Sequence, residues 1–162
     1  MKYVLIGKIV NTHGIRGEIR LLSDFEYKDR VFLSGMKIYI GKEKKEEEIA
    51  TYRHHKMFDM ITLVGYNDIN QVLKYKGLYV FVNRNDIKLM DGEYLLEEIV
   101  GLKVIYDNVG LGVISKIQDH NGNKVLVVKG KKEYLIPYNN NFIEKIEIAE
   151  KIMMVKNVEG LI

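Results

Sequence analysis

The chain has 162 residues, enough for one medium domain or two small ones. Hydrophobic residues make up 47% and charged residues 29%, the balance of a folded chain rather than a disordered one, and the absence of cysteine excludes disulfides, thiolate metal sites and cysteine nucleophiles. The net charge of +3 is unevenly spread, +5 over residues 1–85 and −2 over 86–162, which suggests a different partner for each half.

No apolar run approaches the roughly 18–20 residues that span a bilayer. The opening Met1-Lys2-Tyr3-Val4-Leu5-Ile6 lacks a small-residue cleavage site and reads as a first strand rather than a signal peptide. A cytoplasmic protein without membrane contact is the expectation.

Short runs rich in Val, Ile and Tyr, broken by Gly, Asn and Asp, dominate the sequence and give a β pattern. In chain order the predicted strands are Tyr3–Val10, Glu18–Leu22, Met36–Ile40, Glu48–Arg53, Met60–Val64 and Leu78–Val82. After them come Lys103–Ile105, Gly112–Gln118, Lys124–Val128, Glu133–Ile136 and Lys151–Val155. Their spacing, mostly near ten residues, favours small barrels over a βαβ sheet. The charged run Lys42–Glu48 reads as a solvated hairpin tip.

One early helix is expected. Asp68 can cap it, Ile69, Val72 and Leu73 follow helical spacing, and Gly77 would end it, so that it plugs one end of a first barrel. A second short helical turn is expected near Leu95–Ile99. The polar, weakly periodic stretch Asn83–Gly92 is the best boundary, placing a first domain at 1–85 and a second at 93–162. The fold class is therefore all-β, two small β-barrels.

The densest chemistry lies in Gly7-Lys8-Ile9-Val10-Asn11-Thr12-His13-Gly14-Ile15-Arg16-Gly17-Glu18-Ile19-Arg20. Gly14 and Gly17 permit positive φ and close backbone approach, while Lys8, His13, Arg16 and Arg20 lie in or beside the loop, where they could hold phosphate oxygens. The spacing matches neither a P-loop nor a dinucleotide fingerprint. As a glycine loop alone, it fits a tight barrel turn better.

His54 and His55 are adjacent, so on a strand they point to opposite faces and do not easily share one ion. Beside Arg53 and Lys56 they fit a phosphate-facing basic patch better than a metal site. No catalytic serine elbow or zinc-binding helix motif occurs, and paired carboxylates such as Glu97-Glu98 mean little without a pocket.

Read as a whole, Gly7–Arg20 resembles the opening signature of the RimM family of ribosome maturation factors. Further similarity follows in order: Arg53 and His55, the segment Val72–Val80, then Glu98–Val104, Gly112-Val113-Ile114 and Asn123–Val128. Ile136-Pro137-Tyr138 and Glu159-Gly160-Leu161 complete it, so the resemblance covers nearly the whole chain. At the start of the second domain the family usually has two adjacent tyrosines. Here the positions read Tyr94-Leu95-Leu96, which keeps one aromatic.

The resemblance implies a first barrel like those of translation factors and a second of the PRC-barrel type. It also implies a non-enzymatic assembly chaperone, without cofactor or metal and monomeric. Such a factor would bind the head of the immature small ribosomal subunit, through its rRNA and ribosomal protein S-nineteen, and support rRNA processing. Lys8, His13, Arg16, Arg20 and Arg53 are the candidate RNA contacts, and Tyr94 with Leu95 the candidate protein contacts. Tyr94 serves equally well as a packing residue at the hinge. Two rivals are a flavin-binding oxidoreductase, which shares the first barrel type, and a plain PRC-type interaction module.

Overall fold

Alternating apolar residues build the first half of the chain into six strands: β1 (Tyr3–His13), β2 (Glu18–Leu22), β3 (Lys37–Ile40), β4 (Lys45–His55), β5 (Phe58–Leu63) and β6 (Tyr79–Asn83). In the computed structural model, which describes all of residues 1–162, they close into a barrel in the order β1-β2-β5-β4-β3-β6. Closure leaves no sheet edge unpaired. Val4 and Ile6 face inward from β1; a bulge between Leu5 and Gly7 then shifts the phase, so the next inward residue is Ile9. On β2, Ile19 and Leu21 point into the core and leave Arg20 on the outer face.

Between β5 and β6 lies α1 (Ile69–Val72), continued by a 3-10 turn at Leu73–Tyr75. Asp68 caps it: its carboxylate accepts from Asn70 N at 2.7 Å, and Gln71 Oε1 accepts from Asp68 N at 3.0 Å. Val72 and Tyr75 are buried, and Gly77 takes a φ of +85° where the turn ends. The expected helix is thus present, tightened to 3-10 in its second turn. The charged run is divided: Gly41 to Lys44 make the turn, and Lys45–Glu48 belong to β4 with mainly outward side chains.

The second half forms α2 (Leu96–Ile99), β7 (Lys103–Tyr106), β8 (Val109–His120), β9 (Asn123–Lys129), β10 (Glu133–Pro137), β11 (Ile143–Glu147) and β12 (Ile152–Val155). These strands pair in the order β10-β9-β8-β7-β12-β11, antiparallel except for the parallel pair β12 and β7. Their core gathers Ile99, Val104, Ile114, Leu126, Ile136 and Met153, all at most 1% exposed. Full burial of such a side chain stabilises by roughly 1.5–3 kcal/mol. The chain divides into compact units at Met1–Leu89 and Met90–Ile162. β11 was not expected from the sequence.

Candidate nucleic-acid interface

Two hairpins of the first barrel reach out side by side. One is β1–β2, whose tip holds Gly14 at φ +70° and Gly17 at +90°. A Cβ on Gly17 would stand 3.2 Å from Asp68 N and 3.3 Å from Asp68 O, so glycine is what lets the tip rest against the start of α1. Ile69 N donates to Ile15 O at 3.0 Å and pins the tip further. The second hairpin is β4–β5, turning through Lys56, at φ +56°, and Met57.

Register brings the candidate side chains together. Arg20 on β2 and Arg53 on β4 both stand opposite Met60 of the intervening β5, while His13 faces Glu18 and His55 faces Phe58. Arg53 donates to Glu18 through Nε at 2.9 Å and NH2 at 2.8 Å, a bidentate bridge between the hairpins. The guanidinium holds the Glu18 carboxyl below its usual range, chiefly by that hydrogen bond.

Arg20 donates from NH2 to His13 Nδ1 at 2.8 Å and lies 4.9 Å from the centre of the Phe58 ring. Its buried Nε has no partner. The His13 and His55 rings stand 5.9 Å apart at 54°. Desolvation, then the charges of Arg53, Lys56, His13 and Arg20, hold the His55 ring below its usual value, which favours its neutral form.

Beneath this surface, Asp59 is completely buried. Its Oδ2 is ion-paired with Lys28 Nζ at 2.8 Å, and its Oδ1 accepts from the Tyr52 hydroxyl at 2.6 Å and from His54 Nδ1 at 3.3 Å. His54 is thereby tied to Asp59, apart from the His13–His55 pair.

Three of the five RNA candidates, His13, Arg20 and Arg53, stand together, and Arg16 occupies the exposed β1–β2 tip with no ion pair. Lys8 does not join them. It lies five residues back along β1, roughly 16 Å at strand rise, with its ammonium 5.4 Å over the Tyr79 ring. Sequence reasoning missed that Arg53 is neutralised by Glu18. The available signal was alternation, which sets Glu18 and Arg20 on one face of β2.

The protein-contact candidates lie in the second unit. Leu95 is 1% exposed, so in this conformation it offers no side chain to a partner; an apolar residue at the entry to α2 gains more from burial than from solvent. Tyr94 is partly buried against the second core and donates its hydroxyl to Ile146 O at 3.3 Å.

Residues 4–87 match the family model described as the RimM N-terminal domain, and residues 96–161 the one described as the RimM PRC barrel domain. Ribosome maturation factor RimM of Staphylococcus haemolyticus is 39% identical over 98% of both chains. The protein of that name from Bacillus cytotoxicus is 36% identical over 99% of both. A solved structure from Pseudomonas aeruginosa, described as a 16S ribosomal RNA processing protein RimM, shares 28% identity with a TM-score of 0.50. That match covers 96% of this chain and 97% of the other.

Proposed function

This chain belongs to the RimM family of ribosome maturation factors, and on that footing we propose that it grips small-subunit rRNA with its first barrel and a protein partner with its second unit. The expected place is the head of the immature small subunit, with ribosomal protein S-nineteen as the protein partner. The factor acts there as a monomeric, non-enzymatic chaperone in the cytoplasm, and it supports rRNA processing by favouring correct assembly. We take the two units as two domains with this division of labour.

The observation that carries the reading is the pair of neighbouring hairpins. Arg16 and Lys56, exposed and without ion pairs, stand at tips that are bridged by Arg53–Glu18, with Arg20–His13 bracing the first hairpin. Arg16 and Lys56 are the direct phosphate contacts. Arg53, Arg20 and His13 hold the frame, and Lys8 with Tyr79 offers a separate contact along β1. In the second unit, Tyr94 takes part at the approach to α2, next to the buried Leu95. Tighter binding to a partly assembled head than to the finished one shifts the RNA's folding population and still allows release.

Sedimentation of a lysate on a sucrose gradient tests the partner. The protein is expected with free small subunits, and travel with complete ribosomes, or with neither, would contradict the reading. The contact residues are tested by salt dependence. Arg16→Ala with Lys56→Ala should reduce the slope of log affinity against log salt by about 0.7 for each phosphate no longer neutralised. An unchanged slope removes both residues from the RNA interface.

A further inference from the structure

The same hairpin tips carry two side chains that neither the core nor phosphate binding explains. Ile15 is 77% exposed and Met57 is 66% exposed, each immediately beside a cation, Arg16 and Lys56 respectively. Both backbones are held. Ile15 O accepts from Ile69 N, and the β4–β5 ladder closes at His55 opposite Phe58, which leaves only Lys56 and Met57 in the turn. A two-residue hairpin turn is commonly built from Asn and Gly; a large apolar side chain there contributes nothing to the turn.

The hairpins are joined by the Arg53–Glu18 bridge, and the His13 and His55 rings stand 5.9 Å apart beside it. Two exposed apolar side chains therefore project from one cationic surface. Nearby acids do not oppose a polyanion there: Glu18 is held by Arg53, Asp59 is buried on Lys28, and Asp68 caps α1.

We propose that Ile15 and Met57 are wedges that enter rRNA at an unstacked step, beside a loop or bulge, while Arg16 and Lys56 hold the flanking phosphates. Apolar side chains set among cations open base steps in this way elsewhere. Loops, bulges and helix ends are where RNA bases are free to splay. Because the backbones are already ordered, insertion costs little conformational entropy. A protein partner is less favoured, since its charged surface would have to be uniformly acidic to match. The proposal rests on the first barrel binding rRNA, and its action is to hold a local strand distortion open during assembly.

The test uses the full chain with a 16S rRNA transcript, reading affinity against salt and 2′-hydroxyl acylation of each nucleotide. The unmodified protein should give a salt-dependent footprint containing a few nucleotides of raised reactivity. Ile15→Ser with Met57→Ser should keep the salt slope, lose the raised reactivity and weaken binding about tenfold, and Ile15→Leu with Met57→Leu should restore both. A footprint without raised reactivity, or a serine variant that keeps it, overturns the wedge and leaves rRNA binding standing. A serine variant unchanged on the transcript but weakened on immature subunits assigns the tips to a ribosomal protein and overturns it too. Absence of any salt-dependent footprint overturns the reading beneath it.

Discussion

Asp59 sits at the bottom of the first barrel's polar chemistry, the one charged residue in the chain whose side chain is fully buried. Burial alone would raise its carboxyl. The Lys28 ammonium, the Tyr52 hydroxyl and the His54 ring overcome that and hold it below the ordinary value of 3.8. The Tyr52 hydroxyl is pushed up to about 12, by burial first and then by this hydrogen bond, and its ring stacks on Phe32 at 5.4 Å. A carboxyl lowered in the folded state stabilises fully above its unfolded value and loses that contribution as pH falls through the folded one. Asp59→Asn should therefore cost about 2–4 kcal/mol at pH 7 in urea unfolding, with the deficit shrinking below pH 4. A deficit that stays constant down to pH 2 would show that the ion pair contributes nothing. None of these partners was legible in the sequence, since Lys28 and Asp59 meet only when the barrel closes. That His13, Arg16 and Arg20 lie near one another was legible because one hairpin carries all three. Arg53 was found as a cation but not as the partner of Glu18, because a pairing across 35 residues leaves no local trace.

At the scale of elements, period-two alternation located most strands, and backbone bulges account for the main failure. β11 keeps Ile143 and Ile146, but a register shift between Ile143 and Lys145 sets them three apart, so the strand period disappears from the sequence. The parallel pairing of β12 with β7 is equally silent, because local sequence does not encode which strand a neighbour will be. Another irregularity lies where β8 meets the end of β9. Gly112 has a φ of +146°, and a Cβ there would collide with the Lys129 carbonyl, while one on Gly130 would collide with the Leu111 carbonyl. Two glycines thus allow two backbones to cross in contact beside the buried Ile114 and Val128. Gly112→Ala should destabilise the second unit by about 2–5 kcal/mol through strain and overpacking combined. Amide exchange would report it as reduced protection across β8 and β9 with β1–β6 unchanged. Equal reduction in both units would mean that they unfold as one.

The whole molecule separates charge as it separates strand pairing. Met1–Leu89 carries a net +5 and closes its own barrel, whereas Met90–Ile162 carries −2 and builds its own six-stranded sheet and core. Every strand ladder stays within one unit, so a cut at the boundary breaks no sheet. Units of this size bury enough apolar surface to fold marginally on their own. Both fragments, 1–89 and 90–162, should thus show cooperative thermal unfolding when expressed separately. On an rRNA transcript, fragment 1–89 should keep the salt slope of the full protein, since the slope reports the phosphates neutralised and the proposed function assigns these to the first barrel. Fragment 90–162, at net negative charge, should show no salt-dependent binding. On immature subunits the fragments should fall well short of the whole chain, because tethering turns the second binding event into an intramolecular one at high effective concentration. If fragment 1–89 matched the intact protein on subunits, the second unit would have no part in the grip, and the division of labour between a cationic barrel and a near-neutral sheet would fail.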